Sequence, residues 1–405
     1  MTSTTATTAA RWRSIQVRYY AEDKDDLVLD AVRPLFRRFA GEIGRPYLTR
    51  HWRRGPHLRL DFTATEEDWQ GTVLPGAQLG LAEYLLGSPS TAVLDQRAHF
   101  AAHQRMARAQ DEQGPLFPWH PDNSLQTEPH DDRSHVLGSR QLADLLDDAY
   151  AASCEQLFTM LERVRGGHDS RRGIALDLMF AFARVSGQVS GQARARAGAP
   201  PAGRGFGSYR AHTERFLTHC RNPSAVRAAL DVEYRARRPA LERRLTAVLE
   251  TLDGDGQVPF VRWWARHTAE VEAAAEPLLE SGRISLDRGG APPAEPPQGQ
   301  PPAGGPAAAV DLLLLDPAHP QEVLAGVRHQ SHRIAANVLC SHLDRLGIGP
   351  RQRFVLCHLA ASTAEDLFGI PAPVRGRACA APHPAPRPVR ARSAPAGPLP
   401  AKELR

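Results

Sequence analysis

The chain has 405 residues, room for one large domain or two modest ones, and its 42% hydrophobic content suits a globular protein with a real core. Its formal charge of +5 is a mild, arginine-heavy excess, and no direct nucleic-acid binding is expected from it. The five scattered cysteines form no C-x-x-C pair, Met1 to Ala10 contains no apolar core of a secretory signal, and no run of about 18 apolar residues exists. These features argue against a zinc ribbon, a thioredoxin-like site, secretion and a membrane span, and they fit a reducing cytoplasm.

In chain order, Trp12, Ile15, Val17 and Tyr19 fall in an alternating stretch over 12–20 that predicts a half-buried strand. Leu27, Val28, Val32, Leu35, Phe36 and Phe39 predict a helix over 26–40. Two short strands, 46–53 and 56–62, are expected on either side of a tight turn at Arg54-Gly55-Pro56. From about 90 to 285 the pattern is mostly helical: 139–165, 173–187, 207–220, 223–251 and 258–281, with 188–207 read as a Gly/Ala/Pro-rich loop. Two more helices are expected at 319–346 and 350–368, separated by Gly347 to Pro350. The fold class that follows is α+β, with a small mixed or antiparallel sheet in the N-terminal part and a large helical portion. The expected boundaries are a disordered start (1–11), a main part (12–287), a Pro/Gly/Ala linker (288–309), C-terminal helices of the same domain (310–370) and a disordered Pro/Ala/Arg tail (371–405).

Four segments are rich in groups that do chemistry. In Arg50-His51-Trp52-Arg53-Arg54-Gly55-Pro56-His57-Leu58-Arg59-Leu60-Asp61-Phe62, strand geometry sends Leu58, Leu60 and Phe62 to one face and His57, Arg59 and Asp61 to the other. That polar face reads either as an anion-handling surface, since an arginine fork grips both carboxylate oxygens, or as a solvated strand with a surface Arg–Asp pair. The second segment, Asn123 to Gly138, holds Glu128, Pro129, His130 and Arg133; the plain reading is a polar loop before a helix capped by Ser139. In the third, Val327 to Asn337, His329 and His332 lie three apart on a helix with no third metal ligand in place. The fourth is His358, Ser362 and Glu365 on the last helix, which reads as a His–Glu couple or as polar decoration. No Walker loop, G-x-G-x-x-G after a strand, G-x-S-x-G or H-E-x-x-H occurs, and no nucleotide, flavin or metal cofactor is called for.

Together, Val17-Arg18-Tyr19-Tyr20 and Arg50 to Leu60, with Gly55-Pro56-His57-Leu58-Arg59 as the most specific piece, resemble the thiopeptide-type bacteriocin biosynthesis domain. That domain is the C-terminal, elimination portion of class I lantibiotic dehydratases. The Glu128-Pro129…Arg133…Gly138 stretch is similar to a later motif of that family, and the His332…Asn337 helix to its C-terminal His…Asn helix. The resemblance implies a stand-alone half of a split dehydratase, with a separate tRNA-dependent glutamylating protein and a precursor peptide (leader plus core) as partners; a homodimer is left open. It implies removal of glutamate from glutamylated Ser or Thr to leave dehydroamino acids. Arg59 would bind the glutamyl group, Arg133 would assist, His332 (or His329, given the spacing to Asn337) would move the proton, and His57, Arg53 and Arg54 would line the substrate. Where elimination domains of this family commonly carry a second arginine, this chain has Asp61. Two alternatives stay open: a pyridine synthase that joins two dehydroalanines in a formal [4+2] cyclisation, and a non-catalytic subunit that only binds the precursor.

Overall fold

A computed structural model describes residues 9–39, 44–186, 203–218, 220–286 and 326–370. The expected linker at 288–309, the tail from 371 and most of the N-terminal segment lie outside these residues.

Four strands form one antiparallel sheet in the order β2-β3-β1-β4: β1 (Arg11–Arg18), β2 (Tyr47–His51), β3 (His57–Ala64) and β4 (Ser124–Pro129). The register places Ile15 opposite Leu60 and Val17 opposite Leu58, so the apolar residues of β1 and β3 share one face. That face is closed by a π-helical turn (Leu27–Val32) running into α1 (Arg33–Phe39), where Phe36 meets Phe62 with ring centroids 5.5 Å apart. The reverse face carries Ser14, Gln16 and Arg18 opposite Asp61, Arg59 and His57, and all six are buried. The expected solvated strand face is therefore corrected: its polar side is inside the protein.

Between 63 and 89, where the sequence pattern suggested nothing, the chain is helical: Glu66–Asp68, a π-helical turn Trp69–Val73 and α2 (Leu74–Gly87). Next come α3 (Gln96–Gln110), then β4, then α4 (Arg140–Ala152), whose Ser139 cap accepts from the Leu142 amide as expected. The helical stretch expected over 139–165 is broken into α4 and α5 (Cys154–Arg165). Buried Ser153 donates to the Tyr150 carbonyl, and Arg345 donates to both that carbonyl and the Ser153 hydroxyl, which fixes the break. The helical body continues with α6 (Arg171–Ser186), α7 (Gly203–Thr218), α8 (Pro223–Asp253), α9 (Val261–Glu280), α10 (Val327–Arg345) and α11 (Pro350–Phe368).

The loop expected over 188–207 ends sooner, because Gly203 already opens α7. Gly205 lies so close to the Ala183 backbone of α6 that no Cβ would fit. What reads as a flexible glycine run is a helix packed tightly on its neighbour. The segment expected as a polar loop after Asn123 is instead the edge strand β4, paired with β1 from Ser124↔Arg18 to Pro129↔Arg13. Its half-exposed Ser, Gln, Thr and Glu side chains conceal the strand in the sequence. Among the described residues, no helix is long and apolar enough to cross a membrane.

Candidate active site on the polar face of the sheet

The polar face is assembled by strand register. Tyr47, Thr49 and His51 of β2 lie opposite Asp61, Arg59 and His57 of β3, and the row continues through Ser14, Gln16 and Arg18 of β1 to Glu128, Gln126 and Ser124 of β4. Loops bring Arg53, Glu112, His130, Asp131 and Arg133 to it.

Arg18 fastens the β2–β3 turn. Its Nη1 donates to the carbonyls of Arg53, Arg54 and Gly55 at 2.7, 3.3 and 3.1 Å and lies 2.6 Å from His57 Nδ1. His57 Nδ1 is also 2.8 Å from the Gly55 carbonyl, and burial holds the imidazole well below its usual range. Burial also lowers Arg18, to about 10. His51 accepts from the Arg53 amide at Nδ1 and turns Nε2 toward Glu112, 3.5 Å away. Burial lowers His51 as well.

Each arginine that the resemblance assigns to glutamate binding meets a carboxylate of this chain. Arg59 lies 3.9 Å from Asp61 and 3.8 Å from Asp131, and donates to the Asp131 carbonyl at 3.1 Å. Arg133 lies 3.1 Å from Glu112. Arg53 lies 3.3 Å from Glu112 and 3.1 Å from Glu128. Burial works against the Glu112 carboxylate, but His51, Arg133 and Arg53 together bring it down to about 2. Burial also works against the Arg59 cation, and Asp61, Tyr47, Asp131 and Glu112 more than offset it.

The fifth participant is His130. Its Nδ1 lies 2.8 Å from Asp61 Oδ1 and its Nε2 lies 3.1 Å from Asp147 Oδ2 on α4. Tyr47 donates to the other Asp147 oxygen at 2.7 Å, and Trp12 stacks on the ring. Burial disfavours the charged ring, yet the two carboxylates raise it to about 9.

The structure thus brings together Arg59, Arg133, His57 and Arg53. Arg54 stands beside them, donating to the Pro118 carbonyl at 3.1 Å. His332 is placed elsewhere. It stacks on Phe182 of α6 and sits 3.7 Å from Glu272 of α9, about 20 Å along α10 from Arg345, where that helix reaches β2. His329 is one turn earlier on the same helix. The couple at His358 belongs to a third place, where Arg210 joins His358, Ser362 and Glu365. Among the described residues, no group of three or more His, Cys, Asp or Glu is placed to hold a metal ion.

Sequence reasoning missed Tyr47, Glu112 and Asp147, and it quoted Arg18 and His130 within its motifs without giving either a role. Asp147 did carry a signal, a carboxylate on the buried stripe of α4 beside Ala143 and Leu146. Glu112 carried none.

The match to known families follows the same residues: the family model for the lantibiotic biosynthesis dehydratase C-terminus covers residues 12–364. The chain belongs to that family. Among solved structures, this member of the lantibiotic dehydratase C-terminal family is similar to the pyridine synthase TbtD from thiomuracin biosynthesis, at 31% identity and a TM-score of 0.69, over 89% of this chain and 100% of TbtD. It shares its fold with TsrL, at 19% identity and a TM-score of 0.62, over 89% of this chain and 96% of TsrL. The tRNA-dependent lantibiotic dehydratase MibB from Microbispora sp. 107891 aligns at 16% identity and a TM-score of 0.43, over 91% of this chain and 29% of the longer MibB. No curated protein matches the chain.

Proposed function

We propose that this protein is a cyclase of thiopeptide maturation: it joins two dehydroalanines of a ribosomally made precursor peptide in a formal [4+2] cyclisation, and loss of water and of the leader peptide then makes the ring an aromatic pyridine. The observation that carries this reading is the internal neutralisation of the arginines. A site that grips the carboxylates of a glutamyl group needs uncompensated cations. Here Asp61 and Asp131 attend Arg59, and Glu112 attends Arg53 and Arg133. The similarity to TbtD over that protein's whole length supports the same reading.

The chemistry suits the groups present. Both cyclisation partners are uncharged, so the enzyme must orient amides, polarise a carbonyl and move protons. Arg59 Nε and His57 Nε2 are buried on this face without a hydrogen-bond partner, and Arg59 Nε is a donor of the kind an amide oxygen accepts.

Glutamate elimination is the second reading, favoured by the presence of both Arg59 and Arg133 at this face, beside Asp131 and Glu112. In that case a separate glutamylating protein supplies the substrate; in the cyclase case, the complete dehydration machinery acts upstream.

Mass spectrometry on two purified substrates separates these readings. Loss of the leader from a dehydrated precursor is the expected result. Loss of glutamate from a glutamylated precursor, with the dehydrated one returned intact, establishes elimination instead. Tight precursor binding with neither reaction would leave a binding subunit.

A further inference from the structure

His130 sits between two carboxylates that no single neutral imidazole can satisfy. A neutral ring has one N–H and one bare lone pair. Here Nδ1 faces Asp61 Oδ1 at 2.8 Å and Nε2 faces Asp147 Oδ2 at 3.1 Å, so with both carboxylates ionised both nitrogens donate. The ring is fixed from two further sides: Trp12 stacks on it, and Tyr47 meets it edge-on and also holds Asp147. Tyr47, Asp147, His130 and Asp61 thereby form one chain across β2, α4, the loop after β4, and β3.

The consequence falls on Arg59. Asp61 is its neighbour on the same strand face, and a buried carboxylate beside a guanidinium ordinarily closes into a two-pronged pair. Instead the closest approach is 3.9 Å, because Asp61 Oδ1 is held by His130. Arg59 Nε is left without a partner. We infer that His130 is a positioning residue for Arg59: clamped as an imidazolium between Asp61 and Asp147, it keeps the Asp61 carboxylate from closing into a two-pronged pair with the guanidinium, so that Arg59 Nε keeps a free donor for a substrate carbonyl. The inference rests on the cyclase reading for the identity of that carbonyl, an amide of the dehydrated precursor.

The test compares wild type, His130→Gln and the double variant His130→Gln/Asp61→Asn in steady-state turnover of dehydrated precursor. Thermal melting confirms that each is folded. In H130Q the freed Asp61 closes on Arg59, and kcat falls on the order of 10²-fold while KM changes little. Adding Asp61→Asn removes the charge that captures Arg59 and restores most of the rate. Loss of packing alone would not be rescued in this way. A nitrogen NMR spectrum of the His130 ring, assigned by its disappearance in H130Q, shows both nitrogens protonated at about pH 8, above the ordinary histidine range. Unchanged kcat in folded H130Q, a double variant no faster than the single one, or a bare ring nitrogen at that pH overturns the inference. The spectrum needs no substrate. It therefore decides on the clamp even if wild type returns the dehydrated precursor unchanged, an outcome that defeats the cyclase reading alone.

Discussion

At Asp61 a carboxylate occupies the strand position where an elimination domain of this kind commonly carries a second arginine, on the same face as Arg59. Its burial gives that substitution its force, since a buried charge must be paired. Arg59→Ala removes one of the two cations beside buried Asp61. A loss of about 3 kcal/mol in denaturant unfolding, with loss of turnover, is expected. The buried histidine and glutamate give stability a pH signature. His130, ordinarily near 6.5, is held at about 9, so its contribution is full below 6.5 and is lost as pH rises through 9. Glu112, ordinarily near 4.5, is held at about 2, so its contribution is full above 4.5 and is lost as pH falls toward 2. Melting midpoints measured from neutral pH upward should fall in wild type and flatten in H130Q; a parallel fall in both would contradict the assignment. At this scale Arg59, His57 and Asp61 were legible from strand alternation. Glu112 and His130 were not, because loop residues acquire their partners only from the tertiary fold.

The elements that place these side chains differ in how openly the sequence announces them. The alternation in β1 and β3 and the apolar spacing in α1, α8 and α11 are read directly, because one face of each is buried. β4 and the start of α7 were concealed, the first by polar edge-strand residues and the second by glycines that serve close helix packing. The β2–β3 turn is the element on which the site most depends. Gly55 has φ +102°, and a Cβ there would meet the Tyr20 ring, with its hydroxyl 2.5 Å away. Gly55→Ala is expected to destabilise by about 1–2 kcal/mol from the left-handed backbone alone, and by more once Tyr20 shifts. Since Arg18 holds the carbonyls of this same turn, the variant should also lose turnover in excess of its loss of fold, measured below its melting transition.

Across the whole molecule, the sheet presents an apolar face to α1 and a buried polar face to three loops and α4, while α6 to α11 form the helical body behind. The α+β class was legible from the order of periodicities. The family was legible from Gly55-Pro56-His57-Leu58-Arg59, but the choice between elimination and cyclisation was not, because Glu112 and Asp131, which meet the arginines, come from loops. The most direct test of the account is a single-turnover reaction of the purified protein with a dehydrated precursor carrying its leader. Released leader and newly formed pyridine chromophore are followed together. The account predicts both in equal amounts; a dehydrated precursor returned unchanged, while a glutamylated precursor loses its glutamate, would contradict it.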